Sequence, residues 1–326
     1  MSDNSLAQTS ASALTAQPHI AVVGAGAMGC YFGGLLLKAG HRVTFIDVNP
    51  EQIATINRQG LILETDAGRS EMPATAALAA DVTDPADLVI LFTKTMHTDG
   101  AMRSIQHLLK SDTVILSLQN GLGNADKIAQ HHDFSRIAVG TTLVPADLHS
   151  PGHVVSHGPS SSRMMDANTQ HPEWVDHLAA LFNGAGLTSV LDPDIHSVIW
   201  SKVAFNAALN SICAVTGATP GRIAEVEDSV QLARSVVHET VLAGEAKGIT
   251  LDEAHIWDNV EMAMREHPNH KPSMLQDIEN GRATEIDSIN GAIVLAATET
   301  GLDAPVNRTL CQLVKLKQHL AIAAQK

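Results

Sequence analysis

Between residues 198 and 215 nearly every side chain is apolar or small, yet Lys202, Asn206 and Asn210 recur there at i, i+4 and i+8. That spacing sets all three on one face of a helix. An ammonium group on an otherwise buried helix is costly, so Lys202 is expected to face a wet cleft or a fixed anion. A proton donor with two amides that orient a polar substrate accounts for the pattern. A stripe that hydrogen-bonds a neighbouring helix or a second subunit is the competing account. Ser273 and Glu285 lie 12 residues apart on either side of Gly281. Glu285 is expected to start a helix over residues 285–300, with Ile286, Ile289 and Ile293 on its buried side. Taken alone, it is a first-turn acid favoured by the helix dipole. The histidines suggest no metal site, because Pro268 and Asn269 interrupt His267-x-x-His270 where a helix would be needed.

A second group concerns phosphate. Gly24-Ala25-Gly26-Ala27-Met28-Gly29 has the form G-x-G-x-x-G, follows an apolar run directly and opens a helical pattern. The glycines allow a tight turn and close approach of backbone to a pyrophosphate, whose charge rests on the helix N-terminus. The next apolar run ends in Asp47, 18 residues after Gly29, placed to accept hydrogen bonds from the adenosine ribose. A 2′-phosphate would meet that carboxylate, so NAD(H) is favoured, and NADP(H) stays open if Arg42 or Arg58 reaches back. Capping the turn into Asn49-Pro50 is the other job open to Asp47. Lys94 and Asn120-Gly121 fall just past the carboxyl ends of two apolar runs, where open α/β sheets bind ligands.

The elements that must carry these residues change in kind near Asp192-Pro193-Asp194. Before it, compact apolar runs at 19–23, 42–47, 88–93, 114–118, 140–144, 153–156 and 188–191 alternate with helical patterns at 27–39, 102–109 and 173–182. Continuous apolar runs suit strands buried on both faces of a parallel sheet. After it, only helix-period segments occur, at 195–215, 229–247, 251–266, 273–280, 285–300 and 304–323. Asp303-Ala304-Pro305 is a start signal, with Asp303 as a cap candidate. The expected architecture is an α/β Rossmann domain over residues 18–192 and an all-α domain over residues 193–326, with residues 1–17 as a disordered leader.

Composition narrows the partners. Across 326 residues, 21 basic against 35 acidic side chains leave a net charge of −14. That argues against nucleic acid and against an anionic membrane surface. No uninterrupted apolar run reaches the roughly 18 residues of a spanning helix. Cys30, Cys213 and Cys311 are odd in number and widely separated. They are expected to be buried free thiols of a cytoplasmic protein.

Taken together, these motifs resemble the ketopantoate reductase (2-dehydropantoate 2-reductase) family from His19 onward. The resemblance rests on the glycine loop, Thr93-Lys94, Asn120-Gly121, Gly140-Thr141-Thr142 and Trp200-x-Lys202-x-x-x-Asn206-x-x-x-Asn210. It rests also on Ser273-Met274-Leu275-Gln276-Asp277 and Thr284-Glu285-Ile286-Asp287-x-Ile289-Asn290-Gly291. It implies a helical domain of the 6-phosphogluconate-dehydrogenase type and hydride transfer from a nicotinamide to a 2-oxo acid. Lys202 would be the general acid and Glu285 its partner. Asn120, Asn206, Asn210 and Ser273 would hold substrate, while Lys94, Asn120 and Ala146 would lie near the cofactor. A homodimer is also implied. The chain departs from the family at Asp47-Val48, where many relatives carry an arginine, and at 158–164 and 218–221. An NAD-dependent D-2-hydroxyacid dehydrogenase on the same scaffold is the nearest alternative, and a non-catalytic NAD-sensing protein a more distant one.

Overall fold

The computed structural model describes residues 17–325. The leader expected over residues 1–17 therefore lies, apart from Gln17, outside the described residues. The strands are β1 (His19–Val23), β2 (Arg42–Ile46), β3 (Leu61–Thr65), β4 (Gly68–Met72), β5 (Thr75–Ala77), β6 (Ala86–Leu91), β7 (Leu109–Ser117), β8 (Ile137–Leu143), β9 (Ala146–Ser150), β10 (His153–Ser156), β11 (Ser161–Asp166) and β12 (Ser189–Leu191). The helices are α1 (Ala27–Lys38), α2 (Pro50–Gln59), α3 (Thr98–Ser104), α4 (Asn124–Ala129), α5 (Glu173–Gly184), α6 (Ile195–Thr216), α7 (Pro220–Ala224), α8 (Glu227–Ala246), α9 (Glu253–Glu266), α10 (Ser273–Glu279), α11 (Asn290–Glu299) and α12 (Pro305–Ala323).

Eight strands form one sheet in the order β12-β11-β8-β7-β6-β1-β2-β5, parallel throughout except where β8 meets β11. The chain winds from β1 to β2 on one side and from β6 to β8 on the other. The order thus reverses between β1 and β6, the crevice where such sheets bind ligands. All of β1 is buried, as its unbroken apolar run requires. A second sheet, β4-β3-β10-β9, lies against α1. Helix α1 fits between the two sheets because it is glycine-lined. A Cβ on Gly33 would come within 2.4 Å of Phe45 on β2, and one on Gly34 within 2.9 Å of Leu61 on β3.

The sequence pattern does not announce β3, β4, β5, β9 or β11. Gly-Arg-Ser-Glu-Met in β4 and Ala-Asp-Leu-His-Ser in β9 are polar and mostly exposed, so they lack the apolar period that marks a strand. The helix expected at 102–109 also ends early, at Ser104, and a 3₁₀ turn over Gln106–Leu108 follows. Met102, Ile105 and Leu108 are fully buried. Their spacing of three suits the tighter 3₁₀ winding better than the α period.

In the helical unit α6 is the axis, packed by α8, α9, α10 and α12. Val203, Ala204, Ala207, Ala208, Ile212 and Cys213 fill its core. Helix α6 is long and apolar enough to cross a membrane, which corrects the view that no stretch qualifies, but 61% of that window is buried inside the folded chain. The start of α12 differs from expectation too. Asp303 accepts from Ala304 N, while the first helical amides, Val306 N and Asn307 N, each donate at 2.9 Å to Glu239 on α8. Cys30, Cys213 and Cys311 are free and buried.

Residue contacts divide the chain into two compact units, with the change at Pro193/Asp194 and two exceptions. Lys94–Thr98 and Gln119–Asn124 group with the helices, although both lie within the stretch expected to belong to the sheet domain.

Candidate active site

In the sheet unit, the loop after β1 could hold a phosphate. A Cβ on Gly29 would fall 1.9 Å from Gly24 O, so only glycine lets the first turn of α1 close onto the loop. At Gly26, the N-cap of α1, a Cβ would meet nothing within 4 Å, and no side chain caps the helix. Open space in front of uncapped amides fits a pyrophosphate. Ala25 and Gln52 brace the loop. Gln52 Nε2 donates to Ala25 O at 2.6 Å, and Gln52 Oε1 accepts from Gly152 N at 3.0 Å. The Asp47 carboxylate accepts from Ala25 N at 2.6 Å, and from Val48 N and Asn49 N at 2.8 and 2.9 Å. The acid at the end of β2 therefore ties the glycine loop and caps its own turn. Arg42 is ion-paired with Asp84, and Arg58 contacts Thr55 Oγ1 at 3.4 Å. Ala146 heads β9 in the smaller sheet, paired with Ser156.

In the helical unit, three separate stretches of chain meet at Glu285. Glu285 Oε1 accepts from Thr95 N at 3.1 Å and from Thr95 Oγ1 at 3.3 Å, and Oε2 accepts from Asn120 Nδ2 at 3.3 Å. Glu285 does not open a helix as expected. It sits in a turn, and α11 begins at Asn290. The N-cap Ile289, at φ −104° and ψ −94°, lies outside the helical region and breaks the winding. Ser288 Oγ lies 3.0 Å from Glu285 O, across the turn. Lys94 Nζ bonds Ala283 O at 2.7 Å and pairs with the nearly buried Asp277 carboxylate at 2.7 Å. Asp277 also holds Arg282 at 3.2 Å.

Lys202 projects from α6, where burial pushes its pKa from 10.5 down to about 8 against the opposing pull of Glu285's negative charge. Such a lysine can both give and take a proton near neutrality. Asn206 is half-buried and Asn210 buried on the same helix. Ser273 is exposed at the start of α10. Among the described residues, the hydrogen bonds found engage none of these three side chains. The structure thus joins Asn120 to Glu285 and Lys94 to Asp277, and the negative charge of Glu285 acts on Lys202. The roles of Thr95, Ser288 and Asp277 escape the pattern analysis, because an isolated hydroxyl or carboxylate far along the chain carries no periodic signal.

Residues 20–168 match the family model for ketopantoate reductase PanE/ApbA, and residues 194–318 match the model for its C-terminal domain. The chain belongs to the ketopantoate reductase family. A 2-dehydropantoate 2-reductase of Streptococcus pyogenes serotype M3 is 33% identical over 299 residues, covering 91% of this chain and 97% of that protein. A D-mandelate dehydrogenase solved with NADH and anilino(oxo)acetate superposes with a TM-score of 0.88 at 31% identity, covering 93% of this chain and 99% of the other. A PanE/ApbA family ketopantoate reductase from Ralstonia eutropha JMP134 superposes at 0.86 with 30% identity, covering 93% and 99%. The chain is accordingly an oxidoreductase that uses a nicotinamide cofactor on a small keto acid.

Proposed function

We propose that this reductase converts 2-dehydropantoate, or a close 2-oxo acid, to the 2-hydroxy acid with NADH, and that Lys202 is the proton donor. The observation that carries this reading is a Glu285 carboxylate held by three donors, whose charge acts on a desolvated Lys202. A nicotinamide cofactor, when bound, would supply hydride to the carbonyl carbon. As charge gathers on the oxygen, the Lys202 ammonium stabilises it and then transfers a proton, leaving an alcohol. Glu285 keeps that ammonium oriented. Asn206, Asn210 and Ser273, with Asn120 beside Glu285, supply donors for the substrate's carboxylate and carbonyl and so fix the carbon for attack.

The loop from Gly24 to Gly29 would hold the pyrophosphate, through the amides around Ala25, Gly26, Ala27 and Met28. The Asp47 charge, together with the engagement of Arg42 by Asp84, supports NAD(H) over NADP(H). Lys94 and Ala146 are assigned to the nicotinamide end, with Lys94 acting there through its pair with Asp277. The same carboxylate favours a second reading, an NAD-dependent D-2-hydroxyacid dehydrogenase, which the likeness to a D-mandelate dehydrogenase also supports. Initial rates for 2-dehydropantoate and for branched and phenyl-substituted 2-oxo acids, with NADH and NADPH, separate the two readings. A kcat/KM at least tenfold higher for 2-dehydropantoate is expected, and a preference for the phenyl acid would install the second reading.

A homodimer in the cytoplasm completes the proposal. Leu313, Leu316 and Leu320 form an exposed apolar stripe on α12 that a second copy would cover. The three buried free thiols suit a reducing compartment. Light scattering at about twice 34.5 kDa is the expected result, and a single-chain mass would reject the dimer.

A further inference from the structure

From the contacts around Glu285 we infer that Thr95 and Ser288 are positioning residues, a two-hydroxyl clamp that fixes the Glu285 carboxylate for Lys202. This inference rests on the proposed reading of that pair.

Both hydroxyls are buried, Thr95 at 2% exposure and Ser288 at 5%. Their oxygens are 2.5 Å apart, although the residues are separated by 193 positions. Each hydroxyl carries one proton, yet the contacts offer three acceptors: Glu285 Oε1, Glu285 O and the partner hydroxyl. Two arrangements satisfy the short contact. In one, Ser288 donates to Thr95 and Thr95 donates to the carboxylate. In the other, Ser288 donates to Glu285 O and Thr95 donates to Ser288, which leaves Oε1 to the Thr95 amide. The first arrangement directs a chain of polarised hydroxyls at the charged oxygen, where a hydrogen bond is strongest. Asn120 takes the other carboxylate oxygen, so rotation about the end of the Glu285 side chain breaks contacts on both sides.

The clamp matters because Glu285 is the charge that acts on Lys202. Of the helices packed against α6, α10 carries Asp277, which Lys94 and Arg282 share, and α12 carries Lys317, which bonds Val215 O at the C-terminal end of α6. Releasing Glu285 leaves the Lys202 ammonium less supported and less well aimed. The chemical step should suffer more than substrate binding.

The test measures kcat, KM and the pH profile of oxo-acid reduction for Thr95→Val, Thr95→Ser, Ser288→Ala and Glu285→Gln in the full chain, with melting curves for each. Thr95→Val keeps the backbone donor and the side-chain shape but removes the hydroxyl. It is expected to lower kcat about tenfold, leave KM for the oxo acid within about twofold, and move the alkaline fall-off to lower pH. Thr95→Ser is expected to restore most of the rate, and Ser288→Ala to lose about threefold in the same direction. A Thr95→Val enzyme with normal kcat and an unmoved fall-off overturns the clamp if Glu285→Gln is impaired. A normal Glu285→Gln enzyme instead removes the role of Glu285, and the clamp with it. If Thr95→Val does not fold, Ser288→Ala decides, because an unchanged profile there also overturns the clamp.

Discussion

The glycine loop of the sheet unit and the Glu285 cluster of the helical unit both prepare a place for charge, using different materials. The loop works by subtraction. Glycine at 26 leaves the space in front of α1 open, and glycine at 29 lets α1 close on Gly24. Its glycines lie in one short stretch of chain, braced from outside by Asp47 and Gln52. The Glu285 cluster works by assembly, with donors from Thr95 and Asn120, 190 and 165 positions away, and a lysine from α6. A site made by subtraction tolerates changes in its surroundings but not in its own glycines. A site made by assembly can be tuned by any of its contributors.

The comparison breaks first at Lys202. Lys202→Ala should cut kcat by roughly 10²-fold or more while cofactor affinity measured by fluorescence titration barely changes. Glu285→Ala should harm the same step, and the double variant should fall far short of the product of the single losses. Near-normal hydride transfer in Lys202→Ala would leave the mechanism without its acid. The next largest effect is expected at Gly29→Ala, where the added Cβ would collide with Gly24 O at 1.9 Å. Cofactor affinity should weaken by about 30-fold, with the melting temperature lowered, because the turn must open. Unchanged binding would show that the loop has slack.

The pH profile sharpens the contrast. With protonated Lys202 as the proposed donor, the reductive rate should fall as pH rises through about 8, up to tenfold per unit. Oxidation of the hydroxy acid needs the neutral amine and should rise through the same region. A reductive rate that stays flat well above 8 would contradict the assignment. The smallest effect is expected at Asp47→Ala, which should narrow the NADH-to-NADPH ratio of kcat/KM by about fivefold, through loss of a charge opposed to the 2′-phosphate. Since Asp47 also accepts from Ala25 N, affinity for both cofactors should drop modestly. A ratio that does not move would assign Asp47 to the turn alone.

Much of this was legible in the residues. The loop could be read because its six positions are contiguous and lie between a strand and a helix. The stripe of Lys202, Asn206 and Asn210 could be read because polar residues at a helical period in apolar surroundings are conspicuous. The parallel sheet followed from the buried strands, yet β4 and β9 stayed hidden because edge strands of a small sheet need no apolar face. Glu285 stands out by its motif but falls short of the helix expected for it, since the Ile286, Ile289 and Ile293 spacing continues smoothly through a break that only the backbone at Ile289 reveals. Thr95 and Ser288 stayed out of reach because nothing local distinguishes a hydroxyl that touches a carboxylate from one that meets water.

The two short excursions, Lys94–Thr98 and Gln119–Asn124, have a consequence for how this gene can be cut and recombined. A fragment starting at Asp194 would carry Glu285 and Lys202 but none of the three donors that Thr95 and Asn120 give the carboxylate. It would also strip Asp277 of Lys94. Chimaeras that join the first 193 residues of one relative to the remainder of another therefore transplant half of each contact, and a mismatch at Thr95, Asn120 or Ser288 would surface at the joint between parents. The sensible crossover blocks for shuffling are not the two halves of the sequence but the two compact units, excursions included.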